Sequence, residues 1–301
     1  MSVNTESNHN SSNSQDLLIS VPQKEEFQSY FTFCGHKRRF PIGENAGGLI
    51  ITTFLIIIPS FLYMTINFSL GMSRIDLVEE LKGKVNSSTY IVFSVVSIIT
   101  LILALISFYD VATSIPGYQT GKKITQEEFQ KAQPTLTLGK STIILKRCPT
   151  CEIVRDIRTF HCQYCNKCVE RHDHHCGYVS NCIGKNNLVK FYIFLYVTFI
   201  HISFVEVTSV YSLVTLYAQT TDDMITIFSV FTGILCVFVG FFFVFLLVMI
   251  VQHTFQISQN ETTNEGIRNK YDASAYNRGC CDNWKDVCCI KDKQDEYYFE
   301  V

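Results

Sequence analysis

The apolar residues of this chain are gathered into four long blocks, and this distribution constrains its fold more than any other feature. Two blocks, at 46–66 and 89–109, contain no charged residue, and two further blocks run from 191 to 217 and from 224 to 251. Each block reaches the roughly 20 residues that a helix needs to cross a hydrocarbon core of ~30 Å. Four such blocks are not expected in a soluble protein. We therefore predict an α-helical polytopic membrane protein with four transmembrane helices.

The four blocks divide the chain into segments with different expected properties. The spans are predicted at 46–67, 89–109, 191–217 and 224–251, so that residues 68–88 and 218–223 form two short connections. Residues 1–45 include the Asn/Ser-rich stretch "VNTESNHNSSNSQD" and are expected to be partly disordered. A long loop, 110–190, joins the second and third spans, and a tail, 252–301, follows the fourth.

Lysine and arginine are distributed unevenly over these segments. Of the 25 Lys and Arg residues, four precede the first span, three lie in the 68–88 connection, twelve in the long loop, none in the 218–223 connection and six in the tail. By the positive-inside rule, both termini and the long loop are expected in the cytosol, and both short connections in the lumen. The expected location is an endomembrane (Golgi or endoplasmic reticulum) or the plasma membrane. The net charge of −2 points to no particular partner, and no nucleic-acid partner is expected.

Cysteine and histidine are concentrated in one part of the long loop. Residues 148–182 hold seven of the 13 cysteines and four of the eight histidines. Cys-x2-Cys pairs followed at a distance by further Cys and His residues are typical of zinc sites. A reducing cytosol disfavours a disulfide framework, and four histidines argue against an iron–sulfur cluster. We predict a domain at about 146–190 that holds two structural zinc ions.

The spacing of these residues indicates which of them share a zinc ion. His161 and Cys162 are adjacent, and neighbouring side chains on an extended chain point to opposite faces, so they are expected to bind different ions. The two sites are then interleaved along the chain. The first predicted set is Cys148, Cys151, His161 and Cys168, and the second is Cys162, Cys165, His175 and Cys182. Four ligands leave no open position at either ion, which is typical of structural zinc.

Three residues of the stretch, His172, His174 and Cys176, remain outside both sets. If the chain is extended here, His174 and Cys176 share a face while His175 points away. A histidine beside a free cysteine is the usual arrangement of an activated thiol, and Asp173 is the candidate to orient that histidine. Alternation alone does not aim Asp173 at His174. The alternative is that Cys176 is a redundant ninth zinc ligand; His172 is expected to be a polar surface residue.

The pattern Cys-x2-Cys-x9-His-Cys-x2-Cys-x2-Cys-x4-Asp-His-His-Cys-x5-Cys, which leads into a membrane span, resembles the DHHC-type protein S-acyltransferases, or palmitoyltransferases. The resemblance implies the interleaved zinc sets given above. It also implies a two-step covalent mechanism, in which Cys176 takes a palmitoyl group from palmitoyl-CoA and passes it to cysteine thiols of membrane-associated substrate proteins. In this mechanism His174 is the base and Asp173 its orienting acid.

Two motifs after the fourth span extend the resemblance. "TTNE", Thr262 to Glu265, is similar to the TTxE motif of the family, which implies that Thr263 hydrogen-bonds the aspartate of the DHHC sequence. The stretch "YNRGCCDNW" at 276–284 resembles a tail motif of the family in which Asn283 has a structural role. Thr263, Glu265 and Asn283 are therefore expected to support the site.

Some positions depart from the family pattern. Gly177-Tyr178 stands where Pro-Trp is usual, and "SIPG" (114–117) keeps only Pro-Gly of the customary Asp-Pro-Gly. Glycine loosens the backbone beside Cys176. These departures motivate an alternative function, a non-catalytic zinc-binding membrane adaptor or pseudoenzyme. The intact Asp173, His174 and Cys176 favour the acyltransferase.

Further residues allow two interpretations each. His201 and Glu206 lie inside the third span, where ionisable groups are functional candidates. They either line an acyl cavity or bond a neighbouring helix. The tail doublets Cys280-Cys281 and Cys288-Cys289 are either sites of S-acylation or ordinary tail cysteines.

Overall fold

The structure is a computed structural model, and it describes residues 30–33, 36–39, 46–76, 87–138, 141–217, 223–268 and 276–288. These residues form seven helices, numbered in chain order: α1 (Ala46–Asp76), α2 (Ser87–Thr113), α3 (Gln126–Ala132), α4 (Leu188–Tyr217), α5 (Asp223–Gln259), α6 (Thr263–Arg268) and α7 (Cys280–Cys288). Helices α1, α2, α4 and α5 are long and apolar enough to cross a membrane. The four-helix membrane fold predicted from the apolar blocks is confirmed.

Helix α4 lies at the centre of the bundle. It packs against α2 and α5, and α1 packs against α2. One face of α4 carries buried residues at intervals of three or four positions, among them Phe191, Leu195, Thr198, His201 and Val205. Because consecutive spans alternate in direction, the start of α1, the end of α2, the start of α4 and the end of α5 lie at the same end of the bundle.

All four long helices extend beyond the predicted spans, α1 and α5 by the most. Helix α1 continues to Asp76, although its predicted span ends at 67, and α5 continues to Gln259, although its predicted span ends at 251. A helix needs apolar residues only where it crosses the hydrocarbon core, so a polar turn can continue it on either side. Of the two predicted connections, 77–86 and 218–222 lie outside the described residues.

The described strands are short and form five antiparallel pairs. The pairs are β1 (Tyr30–Phe33) with β2 (His36–Arg39), β3 (Thr135–Leu138) with β4 (Ser141–Ile144), β5 (Lys146–Arg147) with β6 (Val154–Arg155), β7 (Phe160–Cys162) with β8 (Lys167–Val169), and β9 (His174–Cys176) with β10 (Asn181–Ile183). Two-stranded pairs are marginally stable on their own. The small buried clusters around β5 to β8 consist mostly of cysteines, together with Ile153 and Val169, so this domain needs cross-links other than an apolar core.

The segment before α1 contacts the end of α2. The side chain of Arg38 in β2 forms an ion pair with Asp110, and its guanidinium also donates to the backbone carbonyl of Asp110 at 3.1 Å. The Asn/Ser-rich stretch for which disorder is predicted lies outside the described residues.

Candidate active site and metal centres

Each Cys-x2-Cys pair forms a tight turn whose two thiols lie on the same side. The backbone N–H of Cys151 donates to Cys148 Sγ at 3.3 Å, and the N–H of Cys165 donates to Cys162 Sγ at 3.5 Å. In both turns the residue after the second cysteine has a positive φ. This left-handed residue reverses the chain, so that the next strand returns past the two thiols.

The first cluster of ligands depends on the register of β7 and β8. His161 pairs with Cys168, so both side chains lie on one face, while Cys162 lies on the other. The Nδ1 atom of His161 is 3.5 Å from Cys148 Sγ, 3.3 Å from Cys151 Sγ and 4.0 Å from Cys168 Sγ. The structure thus brings together the four residues of the first predicted set.

The second cluster depends in the same way on the register of β9 and β10. His175 pairs with Cys182, which places both on the same face of the hairpin. The Nδ1 atom of His175 is 3.6 Å from Cys162 Sγ, 3.5 Å from Cys165 Sγ and 3.5 Å from Cys182 Sγ. These are the four residues of the second predicted set.

Both clusters fit zinc. Tetrahedral zinc binds sulfur at about 2.3 Å and nitrogen at about 2.0–2.1 Å, which separates the two ligand atoms by about 3.5 Å. The observed distances between Nδ1 and Sγ atoms run from 3.3 to 4.0 Å. Three thiols and one imidazole are a frequent donor set for structural zinc. Two Cys/His clusters that can each hold a metal ion are therefore present in the described part of the chain.

Asp173 and His174, which precede His175 of the second cluster, contact each other directly. The Nδ1–H of His174 donates to Asp173 Oδ2 at 2.6 Å. Asp173 is 3% exposed, and its backbone N–H is bonded to the carbonyl of Ile183 in β10. Arg171, two residues earlier, has a φ of 43°. This left-handed turn changes the chain direction before β9 begins.

Asp173 and His174 each stabilise the charged form of the other. Burial opposes ionisation of Asp173, but hydrogen bonds from His174 and Thr263 and the positive charge of His174 outweigh it and lower the pKa of the carboxyl to about 2. Burial also opposes protonation of His174, but its hydrogen bonds with Asp173 and Cys176 and their charges raise its pKa to about 10. The pair is therefore an aspartate and an imidazolium across the neutral pH range.

Cys176 lies on the same face of β9 as His174 and belongs to neither metal cluster of the described residues. It is 8% exposed, and its thiol lies close enough to His174 for the imidazole to shift its pKa. Burial favours the neutral thiol, but the hydrogen bond and charge of His174, with backbone N–H groups of Tyr178 and Val179, outweigh burial and lower the pKa of Cys176. This arrangement favours a nucleophilic thiolate.

An apolar cavity begins at Cys176 and runs into the helix bundle between α1, α4 and α5. It contains about 950 Å³ of empty space, counted together with its opening. Cys176 and Tyr178 lie at one end, and the α4 residues along its wall run from Phe191 to Val205. This stretch of α4 is about 21 Å long at about 1.5 Å per residue. The cavity is thus deep, apolar and open to the thiol.

Residues 141–270, which contain both clusters, the thiol and the "TTNE" sequence, match the family described as DHHC palmitoyltransferase. These residues belong to the DHHC palmitoyltransferase family.

Three relatives illustrate the range of similarity. Protein S-acyltransferase 8 of Arabidopsis thaliana is 26% identical over 296 residues, which cover 87% of this chain and 68% of the relative. Palmitoyltransferase ZDHHC14 of Homo sapiens is 38% identical over 161 residues, covering 51% of this chain and 32% of the relative.

Palmitoyltransferase ZDHHC5 of Bos taurus is 33% identical over 159 residues, which cover 52% of this chain and 21% of the relative. The chain therefore spans between a fifth and about two thirds of the length of these three relatives. The similarity to the two mammalian proteins covers about half of this chain, whereas the plant protein matches most of it.

The "TTNE" sequence of the DHHC domain starts α6 with a capping box. Thr262 Oγ1 accepts from the N–H of Glu265 at 3.2 Å, and Glu265 Oε2 accepts from the N–H of Thr262 at 2.9 Å. This box leaves Thr263 turned toward the DHHC aspartate. Thr263 donates from its N–H to Asp173 Oδ1 and from its hydroxyl to Asp173 Oδ2, both at 2.9 Å.

Glu265 also joins the cysteine-rich part of the DHHC domain to the end of α5. Arg158 donates to both carboxylate oxygens of Glu265 at 2.7 Å, and its guanidinium also bonds Asn260. Glu265 is 4% exposed. A bidentate contact between an arginine and a carboxylate is strong and directional. It fixes the segment that carries Thr263 relative to the cysteine-rich loop.

The residues after Cys176 pack against the start of α1. Leu49 N–H donates to Ser180 Oγ at 3.0 Å, and Thr52 Oγ1 donates to the carbonyl of Tyr178 at 2.9 Å. A β-carbon at Gly48 would overlap the carbonyl oxygen of Gly177. At Gly177 a β-carbon would meet no atom within 4 Å, and its φ is not left-handed. The contact with α1 holds the backbone that glycine was expected to loosen.

His201 combines the two interpretations considered for it. It lines the cavity, and its ring bonds Ser60 of α1 at 2.8 Å and Thr100 of α2 at 2.9 Å. Glu206 lies instead beside Gly240 of α5, and it is not among the residues that line this cavity. Only the histidine therefore connects the cavity wall to neighbouring helices.

Asn283 is fully buried where α7 meets the end of α5. Its amide donates to the carbonyl of Ser258 and to Asn277 Oδ1, both at 2.8 Å, and its Oδ1 accepts from the N–H of Arg278 at 3.0 Å.

Three of the tail cysteines, at 280, 281 and 288, are exposed on α7, and the fourth, at 289, lies outside the described residues.

Two histidines contact the site although sequence reasoning gave them no role. His172, expected to be a polar surface residue, is instead partly buried and lies 3.8 Å from Cys182 Sγ. His253 of α5 is 3% exposed and stacks on His174 with ring centroids 6.0 Å apart; Phe191 meets His174 edge-on at 5.3 Å. His253 lies just past the predicted end of the fourth span, so its position in the sequence does not mark it as an intramembrane ionisable group.

Proposed function

We propose that this protein is a membrane-bound protein S-acyltransferase that uses Cys176 as its nucleophile. It takes a long-chain acyl group, palmitoyl, from acyl-CoA and transfers it to cysteine thiols of membrane-associated proteins. One observation carries the proposal: a cysteine outside both metal clusters shares a strand face with a hydrogen-bonded His–Asp pair and lies at the end of an apolar intramembrane cavity.

In the first step, the Cys176 thiolate, which is paired with the imidazolium of His174, attacks the carbonyl carbon of the acyl-CoA thioester. As the new carbon–sulfur bond forms, the bond from that carbon to the CoA sulfur breaks. CoA leaves as a thiol after taking the proton from His174. Asp173 holds His174 by its Nδ1–H throughout and stabilises the imidazolium.

In the second step, the thiol of a substrate cysteine attacks the acyl carbon held on Cys176. His174 accepts the proton of the incoming thiol, and Cys176 departs as a thiolate paired with the imidazolium, which restores the starting state. One thioester replaces another in both steps, so no separate energy source is required.

The cavity suits the acyl chain of the donor. The tails of one leaflet fill about half of a ~30 Å hydrocarbon core, and the cavity wall along α4 is longer than that, at about 21 Å. An acyl chain in the cavity leaves its thioester beside Cys176 and its charged CoA group outside the bundle. The chain remains in an apolar environment during transfer.

The two clusters would hold structural zinc ions: Cys148, Cys151, His161 and Cys168 one ion, and Cys162, Cys165, His175 and Cys182 the other. Bound zinc supplies folding free energy to a domain whose strands are too short to fold alone. The ligands themselves hold β7 to β10 in register. Cys176 thereby stays next to His174 and the cavity.

The zinc-binding domain, both termini and the CoA group of the donor are assigned to the cytosolic side. The 110–190 loop carries twelve Lys and Arg residues and the 218–223 connection none, which supports this orientation. We propose that the membrane spans and the connecting segments have the bounds predicted from the sequence, with the DHHC domain at about 146–190. The proposed location is an endomembrane (Golgi or endoplasmic reticulum) or the plasma membrane. Epitope accessibility in selectively permeabilised cells tests the orientation.

The activity is tested with purified protein and an alkyne analogue of palmitoyl-CoA. Wild-type protein is expected to form a hydroxylamine-sensitive adduct and to pass the label to a cysteine-containing acceptor protein. Cys176→Ser is expected to do neither. A variant with Ser at the four tail cysteines serves as the matched control and is expected to keep both steps. An intact protein that binds zinc but forms no adduct would instead be an adaptor or pseudoenzyme.

A further inference from the structure

His172 lies between a zinc-cluster thiol and the segment that follows α5. Its Nε2 atom is 3.8 Å from Cys182 Sγ, and its Nδ1 atom is 3.1 Å from the side-chain nitrogen of Asn264. Asn264 is 8% exposed and belongs to the "TTNE" sequence of α6. The imidazole therefore bridges two elements that are 82 positions apart in the chain, from Cys182 to Asn264.

These contacts determine which nitrogen of His172 carries the proton. The amide nitrogen of Asn264 can only donate a hydrogen bond, so His172 Nδ1 must accept it. The proton of the neutral ring is then on Nε2, the nitrogen that faces Cys182 Sγ. A zinc-bound cysteine is a thiolate, and a thiolate accepts hydrogen bonds from N–H groups.

The bridge also reaches the catalytic aspartate. The backbone N–H of Asn264 donates to the backbone carbonyl of Asp173 at 3.1 Å, and the preceding Thr263 donates twice to the Asp173 carboxylate. Asp173 follows His172 directly in the chain. Cys182, His172, Asn264 and Asp173 thus form a continuous path from the second zinc cluster to the group that orients His174.

We propose that His172 is a positioning residue of the second zinc site, which donates from Nε2–H to the Cys182 thiolate and ties that site to α6. The proposal rests on the zinc sites of the proposed function. Outer hydrogen-bond partners of metal ligands orient the ligand and change metal affinity. His172 does this while it also anchors Asn264, so that zinc binding and the position of Thr263 on Asp173 are coupled.

The proposal is tested by zinc release from the purified full-length protein to a chelating dye. Wild-type zinc content is measured first, and two ions per chain are expected. His172→Phe keeps a planar ring but loses both hydrogen bonds, and it is expected to release one of its two ions about 10-fold faster than wild type. Gln163→Ala alters an exposed residue of the same domain and is expected to release both ions at the wild-type rate.

His172→Gln is the conservative variant, because its side-chain amide can donate to sulfur and accept from Asn264. It is expected to release zinc at close to the wild-type rate. If His172→Phe does not fold, faster release from His172→Asn, whose shorter amide does not reach the thiolate, supports the proposal. Equal release from His172→Asn and His172→Gln overturns it.

A spectroscopic measurement separates hydrogen bonding from a general loss of stability. In cobalt-substituted protein, the thiolate-to-cobalt charge-transfer band reports the electron density on the sulfur. His172→Phe is expected to shift this band, and Gln163→Ala is expected to leave it unchanged. An unshifted band, together with wild-type zinc release, overturns the role of His172.

The link through Asn264 is tested with a double-mutant cycle. Asn264→Ala and His172→Phe act on one path, so the double variant is expected to release zinc no faster than His172→Phe alone. Multiplicative effects would contradict the path through Asn264. If wild-type protein holds no zinc, the zinc sites of the proposed function fail first, and the role of His172 falls with them.

Discussion

The pKa of Cys176 depends on His174, because burial alone would keep this thiol protonated. The hydrogen bond and positive charge of His174 outweigh burial and lower the pKa of Cys176. Asp173 keeps His174 charged, since its hydrogen bond and negative charge help to raise the pKa of the imidazole to about 10. The three residues therefore act as one unit, and removing the middle one should reverse the sign of the pKa shift at the thiol.

Replacement of His174 by Gln is expected to raise the pKa of Cys176 above that of an ordinary cysteine, because burial remains and the compensating charge is lost. The measurement is the pH dependence of Cys176 alkylation by iodoacetamide, followed on its own peptide by mass spectrometry. The midpoint is expected below the ordinary cysteine value in wild type and above it in His174→Gln. Equal midpoints in the two proteins would refute the pairing of His174 with the thiol.

Thr263 contributes two donors to Asp173, and a matched pair of variants separates them. Thr263→Val loses the hydroxyl and keeps the backbone N–H, whereas Thr263→Ser keeps both. A hydrogen bond to a charged group contributes about 1.5–3 kcal/mol, so Thr263→Val is expected to slow acyl-enzyme formation by about 10-fold or more. Thr263→Ser is expected to react at close to the wild-type rate, and equal rates for the two variants would contradict the role of the hydroxyl.

At this scale the sequence indicates the identity of the candidate groups but not their long-range contacts. The shared face of His174 and Cys176 follows from strand alternation alone. The contact of Asp173 with His174 follows a left-handed turn at Arg171. Arginine does not favour this conformation, so the sequence does not predict the turn. The contact of His172 with Asn264 depends on where the chain returns after α5, so local pattern cannot predict it.

The start of α1 is the element that holds the backbone on the far side of Cys176. Gly48 → Ala is expected to destabilise the protein by about 1–3 kcal/mol, because the new β-carbon meets backbone atoms of Gly177 that cannot rotate away. The neighbouring Gly47 has no atom within 4 Å of an added β-carbon. Gly47→Ala is therefore the matched control, and it is expected to stabilise α1 by roughly 0.5–1 kcal/mol.

Thermal unfolding in detergent and the rate of acyl-enzyme formation measure both effects. Gly48→Ala is expected to lower the unfolding temperature and to slow acylation, and Gly47→Ala is expected to do neither. Similar behaviour of the two variants would show that the close approach of α1 to Gly177 does not matter. The same experiment on Gly177→Ala is expected to leave acylation intact, because that position has open space.

The interleaving of the two clusters can be predicted from the sequence. His161 and Cys162 must face opposite sides of one strand, and β7 and β9 each bring one histidine opposite a cysteine of the paired strand. The capping box of α6 is also readable, as Thr-x-x-Glu. The contact of Glu265 with Arg158 is not, because the two residues are 107 positions apart.

The whole molecule joins a four-helix membrane bundle to a small domain that has almost no apolar core. The bundle is stabilised by its own packing and by lipid, whereas the domain is expected to need its two metal ions. Chelation of zinc is therefore expected to abolish acyl-enzyme formation while circular dichroism shows nearly unchanged helix content. Activity should return with added zinc.

A matched variant sharpens the zinc prediction. Cys182→Ala is expected to bind one ion instead of two and to form no adduct, although Cys176 is present. Full acylation of zinc-free protein would show that the metal clusters do not hold the thiol in place. A large loss of helix content on chelation would show that the bundle itself depends on zinc.

At the scale of the molecule, the apolar blocks are sufficient to predict four spans, because the bilayer requires a long apolar stretch from each spanning helix. They do not predict the cavity. Its walls come from α1, α4 and α5 together, and its position depends on how these helices pack. The polar bridge from His201 to Ser60 and Thr100 likewise requires three helices to meet.

The central claim is that Cys176 carries the acyl group. The most direct measurement is a single turnover of wild-type protein with palmitoyl-CoA, followed by proteolysis and mass spectrometry of every cysteine-containing peptide. A hydroxylamine-sensitive palmitoyl adduct is expected on the peptide of Cys176, formed before any other and discharged when an acceptor cysteine is added. An adduct that forms first on Cys280 or Cys281, with Cys176 unmodified throughout, would contradict it.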